Sequence, residues 1–257
     1  SMILAAALWA IGRLPDAALA GAARALFSRS WERFQHAVRH PRDAQLERLR
    51  ILSARARDTA FGREHAFAEV RTLADWQARV PIRGWEDFDP WVARMLAGER
   101  GVLIPDEPFF YARSSGTMGT PKSIPVTPVY LAEYRTPRRV WARQVMQAFP
   151  GLIRGKILSV HSPRVEGRTA SGVPYGSITV AMSGSPELEG HKPSAVSLDP
   201  SPRALFLAQD FEAKYYFTLR LAAQADVRLL AAVNPSTLVL LTHKLDQHAD
   251  AIADDLA

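Results

Sequence analysis

Cysteine is absent from this chain of 257 residues. That excludes disulfides, zinc–thiolate sites, iron–sulfur clusters and a thiol nucleophile, and it fits a reducing, cytoplasmic compartment. Lysine is scarce: five of the 32 basic residues are lysine and the rest arginine. No basic block or ladder of basic and aromatic residues breaks the mixture of 32 bases with 26 acids. The net charge of +6 therefore reads as solvated surface, and no nucleic-acid partner is expected. Long apolar runs are missing too. The first, "MILAAALWAI", spans about ten residues, against roughly 20 for a membrane span. No positive charge precedes it, as a secretory leader would need. Neither span nor leader is expected. Ser1 before Met2 reads as a cleavage scar, and Met2 to Phe27 reads as a buried or amphipathic packing helix.

What is present suffices for a sizeable core, since 47% of residues are hydrophobic. Residues 1–100 read as a helical region. Leu46, Leu49, Leu52, Ala56 and Ala60 recur at helical spacing, and "TLADWQARV" and "WEDFDPWVARMLAG" carry apolar residues three and four apart. After Gly101 the texture changes. Strands are expected at 109–113, 123–126, 155–161, 177–182 and 226–233. Helices should open at Thr127-Pro128, Ser201-Pro202 and Asn234-Pro235, where a capping side chain precedes a proline that has no N–H to lose. The expected fold class is α/β: a helical N-terminal region packed on a mixed or parallel sheet with crossover helices, residues 101–257 forming the α/β portion.

"SSGTMGTPKS", residues 114–123, is the stretch that points to chemistry. From Gly116 it reads G-x-x-x-x-P-K-S, one residue away from the phosphate-binding G-x-x-x-x-G-K-[ST] signature. Proline at 121 cannot reach a positive φ and offers no N–H to a phosphate. "SIPVTP" also stands where a P-loop would run directly into its helix, so the Walker reading fails twice. Two readings remain from the residues alone. One is a different anion cradle, in which Gly116 and Gly119 admit close backbone approach, Ser114, Ser115, Thr117 and Thr120 supply hydroxyls, and Lys122 adds a mobile charge. The other is an ordinary polar turn between strands.

The longer stretch "SSGTMGTPKSIPVT" resembles the phosphate loop of the adenylate-forming superfamily, and more specifically that of the GH3 family of acyl acid–amido synthetases. "QLERLRILSARARDTAFGREHAF", "VPIRGWEDFDPWVARMLAGE", "GKILSV" and "RTASGVPYGSI" are similar to further family stretches, from about residue 31 to the end. Met118 replaces the usual small hydroxyl residue. Trp85 stands where the family usually has tyrosine, a departure expected to be neutral. Family members are roughly twice as long, so the chain resembles the first part of the large N-terminal domain, without the lid domain.

The resemblance implies ATP-dependent activation of a carboxylic acid as an acyl-adenylate, then amide formation with an amino acid or amine, with ATP and Mg2+ required. It assigns Ser114, Ser115, Gly116, Thr117, Gly119, Thr120 and Lys122 to the ATP phosphates, with Lys122 offsetting charge on the leaving pyrophosphate. It implies no metal ligand within this chain. An acyl-CoA synthetase-like ligase and a truncated, non-catalytic binding module are the alternatives.

Thr169, Ser171 and Gly172, in the polar stretch "RTASGVPYG", are a second candidate site for the acyl or amino substrate; a plain surface loop is the competing reading. His161 reads as a hydrogen-bonded loop histidine. His243, Asp246, His248 and Asp250 read as a solvated helix face. Residues 212–223 read as a packed helix with Tyr215, Tyr216 and Phe217 partly buried. Oligomeric state is left open.

Overall fold

In the computed structural model the described residues are 13–114, 121–160, 165–183, 205, 208, 210–232 and 234–257. They sort into two compact units. One takes its residues from 1–27, 141–164 and 179–257, the other from 28–140 and 165–178.

The second unit begins with helices, α2 (Ser28–Arg39), α3 (Pro41–Ala56), α4 (Ala60–Glu64), α5 (Leu73–Arg79) and α6 (Asp89–Leu96). Its aromatic core gathers Phe61, Phe67 and Val70, with Trp76, Phe88 and Trp91 packed against them. The "TAFGREH" stretch shows why this core closes. Thr59 caps α4 by accepting the Gly62 N–H at 2.9 Å, and its own hydroxyl donates to the Ala56 carbonyl at 2.7 Å. A Cβ on Gly62 would stand 1.9 Å from that same carbonyl oxygen. His65 stacks on Phe61 with ring centroids 4.1 Å apart. Its Nδ1 donates to the Phe61 carbonyl at 2.9 Å, and its Nε2 accepts from the Arg83 guanidinium at 3.0 Å.

A four-stranded mixed sheet follows in the same unit, in the order β2 (Ser123–Val126), β1 (Phe110–Arg113), β5 (Pro174–Gly176), β4 (Val165–Arg168). β1 runs antiparallel to β2 and parallel to β5; β4 and β5 are antiparallel. β1 is central and buried: Phe110, Tyr111 and Ala112 all lie in the core. Met95 of α6, Val102 and Tyr111 form a second cluster, which seats that helix on the sheet. Gly98, at φ 100°, turns the chain so that Glu99 returns to Arg94 in a two-toothed pair of 2.8 and 2.5 Å.

The other unit holds α1 (Asp16–Leu26), a parallel pair β3 (Lys156–Ser159) and β6 (Val227–Ala231), and the helices α8 (Ile178–Ser183, from its second residue), α9 (Phe211–Ala223) and α10 (Pro235–Leu256). Its core is Tyr215, Leu219, Leu241 and Ile252, the meeting faces of α9 and α10. Between β2 and β3 runs α7 (Pro128–Ala148). Leu19 and Ala23 are the buried side of α1, in keeping with a packing helix. No helix among the described residues is long and apolar enough to cross a membrane.

The α/β class and the parallel crossover connections are as expected. Two expectations fail. Residues 177–182, read as a strand, fold from Ile178 as α8, and the 168–176 stretch, read as loop-like, is the turn of the β4–β5 hairpin together with β5 itself. The strand expected at 155–161 is confined to 156–159, with His161 outside the described residues. The Ser201-Pro202 cap also lies outside them. The other two caps are present: Thr127 accepts from the Tyr130 N–H at 3.1 Å, and Asn234 from the Ser236 N–H at 3.0 Å.

Candidate functional site

The 114–122 loop leaves the end of the central strand and returns on its antiparallel neighbour. Pairing runs from Phe110↔Val126 to Arg113↔Ser123. Just past the last pair, the Ser114 N–H donates to the Lys122 carbonyl at 3.1 Å, and the Lys122 N–H donates to the Ser114 hydroxyl oxygen at 2.9 Å. The loop is thus a hairpin connection closed at its base, and Lys122 leads into a strand. This is not a P-loop, whose lysine opens a helix. Ser114 and Lys122 are brought together; Ser115, Gly116, Thr117, Gly119 and Thr120 lie outside the described residues.

Two cations flank this base. The Lys122 ammonium lies 5.5 Å from the centroid of the Trp85 ring, and the Arg113 guanidinium 4.9 Å from that of Tyr175. Among the described residues no carboxylate pairs with either cation. Arg113 was not singled out from sequence, and Trp85 only as a departure expected to be neutral. The signal for Arg113 was its position: it is the last residue of the strand that feeds the loop. Beneath them Tyr111 is fully buried, and that burial pushes its hydroxyl above the ordinary value of 10.0.

The second candidate stretch lies elsewhere on the sheet. Thr169, Ser171 and Gly172 form the turn between β4 and β5. Because β5 runs parallel to β1, the turn before β5 sits at the opposite end of the sheet from the loop that follows β1. The four residues of β1 put roughly 10–13 Å between those ends. The hydroxyls of this turn are engaged locally. The Val173 N–H donates to Thr169 Oγ1 at 3.0 Å, and the Thr169 and Ser171 hydroxyls lie 2.9 Å apart. The Gly172 N–H donates to the Thr169 carbonyl at 2.9 Å, and its carbonyl accepts from Arg168 at 2.9 Å. Ser171 lines a cavity of about 210 Å³ with Met95, Glu99, Tyr111 and Val173. A larger cavity of about 430 Å³ lies between α3 and the 67–71 segment, rimmed by Arg50, Arg57 and Arg71 over Phe67 and Val70.

On α10, His243, Asp246 and Asp250 are exposed. Lys244 pairs with Glu212 at 2.6 Å and, with His248, holds that carboxyl below its ordinary value. Among the described residues no group of three or more His, Cys, Asp or Glu is placed to hold a metal ion.

A family model described as the GH3 family N-terminal domain matches residues 30–257. A probable indole-3-acetic acid-amido synthetase GH3.2 of Oryza sativa subsp. japonica is 29% identical over 248 residues, covering 93% of this chain and 40% of that protein. The indole-3-acetic acid-amido synthetase GH3.3 of Arabidopsis thaliana is 22% identical over 213 residues, covering 81% of this chain and 36% of its own length. Among solved structures, a GH3.15 acyl acid amido synthetase superposes with a TM-score of 0.65 at 22% identity, over 80% of this chain and 36% of that one. The chain spans about two fifths of the length of the curated relatives it matches.

Proposed function

This chain belongs to the GH3 family, and from that premise we propose that it supplies the polyphosphate-binding part of an ATP-dependent acyl acid–amido synthetase. The reaction has two steps. A carboxylate oxygen of the acid attacks the α-phosphorus of ATP, and pyrophosphate leaves with the electrons of the broken P–O bond. The nitrogen of an amino acid or amine then attacks the acyl carbon. AMP departs, the nitrogen loses a proton, and an amide remains. Neither step needs a covalent bond to protein, so catalysis is positioning plus neutralisation of the charge that develops on leaving phosphate oxygens.

What carries the reading is the closed base of the 114–122 loop at the end of a buried central strand. Ser114 Oγ accepts the Lys122 N–H, so its own proton is left to donate to a phosphate oxygen. Ser115, Thr117 and Thr120 take the same role on β- and γ-phosphate oxygens, and Gly116 and Gly119 let the backbone approach. Lys122 is a point charge without a carboxylate partner among the described residues, suited to meeting the negative charge of departing pyrophosphate. The relatives' names, indole-3-acetic acid-amido and acyl acid amido synthetases, support an acyl acid and an amine as co-substrates.

The test is carboxylate-dependent exchange of labelled pyrophosphate into ATP by a complete enzyme that contains this chain. Lys122→Ala should cut it at least tenfold, and removing one loop donor, as in Ser114→Ala, should cost ~10²- to 10³-fold in rate. Unchanged exchange in Lys122→Ala would remove the loop from the mechanism.

A further inference from the structure

Trp85 has no role in the reading above, yet it holds the loop's one lysine. The Lys122 ammonium nitrogen stands 5.5 Å from the indole centroid, inside the roughly 6 Å over which a ring face attracts a cation. The backbone that carries the ring is held. Trp85 is half-buried and opens a short turn in which the Gly84 N–H donates to the Asp87 carboxylate at 2.9 Å. The Phe88 N–H donates to the Trp85 carbonyl at 2.8 Å, and the Phe88 ring stands 5.8 Å from Phe61 in the aromatic core. The backbone of Lys122 is pinned by both of its hydrogen bonds to Ser114. The side chain is therefore anchored at its root by the hairpin and at its tip by the indole.

The choice of partner has a consequence. A carboxylate here would hold Lys122 equally well but would cancel its charge before any phosphate arrived. An indole face attracts the ammonium and leaves the charge whole. Lysine surrenders much rotamer freedom on meeting a ligand, and a side chain already held surrenders less. Tryptophan is also the strongest of the aromatic rings in this contact.

We propose that Trp85 is a positioning residue for Lys122, its indole face pre-ordering the ammonium group for an incoming polyphosphate. The inference rests on the loop's assignment to phosphate, so its test separates the two. With only five lysines in the chain, 13C labelling at the ε carbon gives few resonances to assign. The Lys122 ε-methylene protons are expected upfield of the other four through the indole ring current. They should return to the ordinary position in Trp85→Leu and stay upfield in Trp85→Phe.

The binding probe is inorganic tripolyphosphate, followed by calorimetry on the full chain. Trp85→Leu should weaken binding about two- to fivefold, the equivalent of one exposed cation–π contact. Trp85→Phe should retain most of the affinity, and Trp85→Leu should have no further effect in a Lys122→Ala background. An unshifted Lys122 resonance, or affinity unchanged or raised in Trp85→Leu while Lys122→Ala still weakens binding, overturns the role of Trp85 alone. Absence of binding to the unaltered chain, or a Lys122→Ala variant that binds as well, overturns the loop assignment and this inference with it.

Discussion

Single residues explain why several stretches of this chain read as motifs. Gly62 has no room for a side chain, because the end of α3 passes over it and a Cβ would meet the Ala56 carbonyl oxygen at 1.9 Å. Backbone cannot step aside as a flexible side chain can. Gly62→Ala is therefore expected to destabilise its unit by about 1–3 kcal/mol, seen as a lower urea midpoint at unchanged slope. An unaltered midpoint would mean that α3 gives way without cost. The spacing of Thr59, Phe61, Gly62 and His65 was visible in the sequence. Its reason was not, because Arg83, which donates to His65, belongs to a distant part of the chain. Trp85 makes the same point: expected to be neutral, it faces the lysine of the loop.

Elements were legible where their signals are local. The α5 helix opens on a full capping box. Thr72 Oγ1 accepts from the Asp75 N–H at 3.2 Å, and the Asp75 carboxylate accepts from the Thr72 N–H at 2.8 Å. Thr72→Ala should cost about 1 kcal/mol and Thr72→Ser should restore most of it, measured by thermal unfolding; equal losses in both would place the effect elsewhere. Elements failed where pairing decided them. Residues 177–182 combine Ile, Thr and Val, which favour strands, but Thr179, Val180 and Ala181 are all buried in succession. A short run buried on every side carries no period to separate helix from strand. The β4–β5 hairpin failed in the opposite sense. Gly, Pro and charged residues argue against strands, yet Pro174 stands at the first position of its strand, where no ladder N–H is missed, and β4 is an edge strand whose Glu166 and Arg168 face solvent.

At the scale of the whole molecule, acid is the expected weakness. The backbone N–H of Arg71 first, then Thr72, holds Asp75 below its ordinary value; Arg94 does so for Glu99, Lys244 for Glu212, and Tyr216 and then Arg220 for Asp255. A carboxylate depressed in the folded state stabilises fully above its unfolded value, here 3.8 for aspartate and 4.5 for glutamate. That contribution is lost as pH falls through the folded value below it. Melting temperature should therefore hold between pH 7 and 5 and fall below about pH 4.5. A flat profile down to pH 3 would show that these pairs contribute nothing net, as exposed pairs sometimes do.

Composition and caps were determined by sequence alone, because each depends on the residues themselves or on neighbours a few residues apart. The absence of cysteine, the helix starts at Thr127 and Asn234, the strand that feeds the loop and the likeness to the GH3 family are all of this kind. Tertiary structure decided what touches what. The parallel pairing of β1 with β5 put Thr169, Ser171 and Gly172 at the far end of the sheet from the 114–122 loop. The turn at 84–88 brought an indole to Lys122. Strand direction and the meeting of distant side chains are set by burying a shared core, and no local pattern of residues encodes which partners that burial will select.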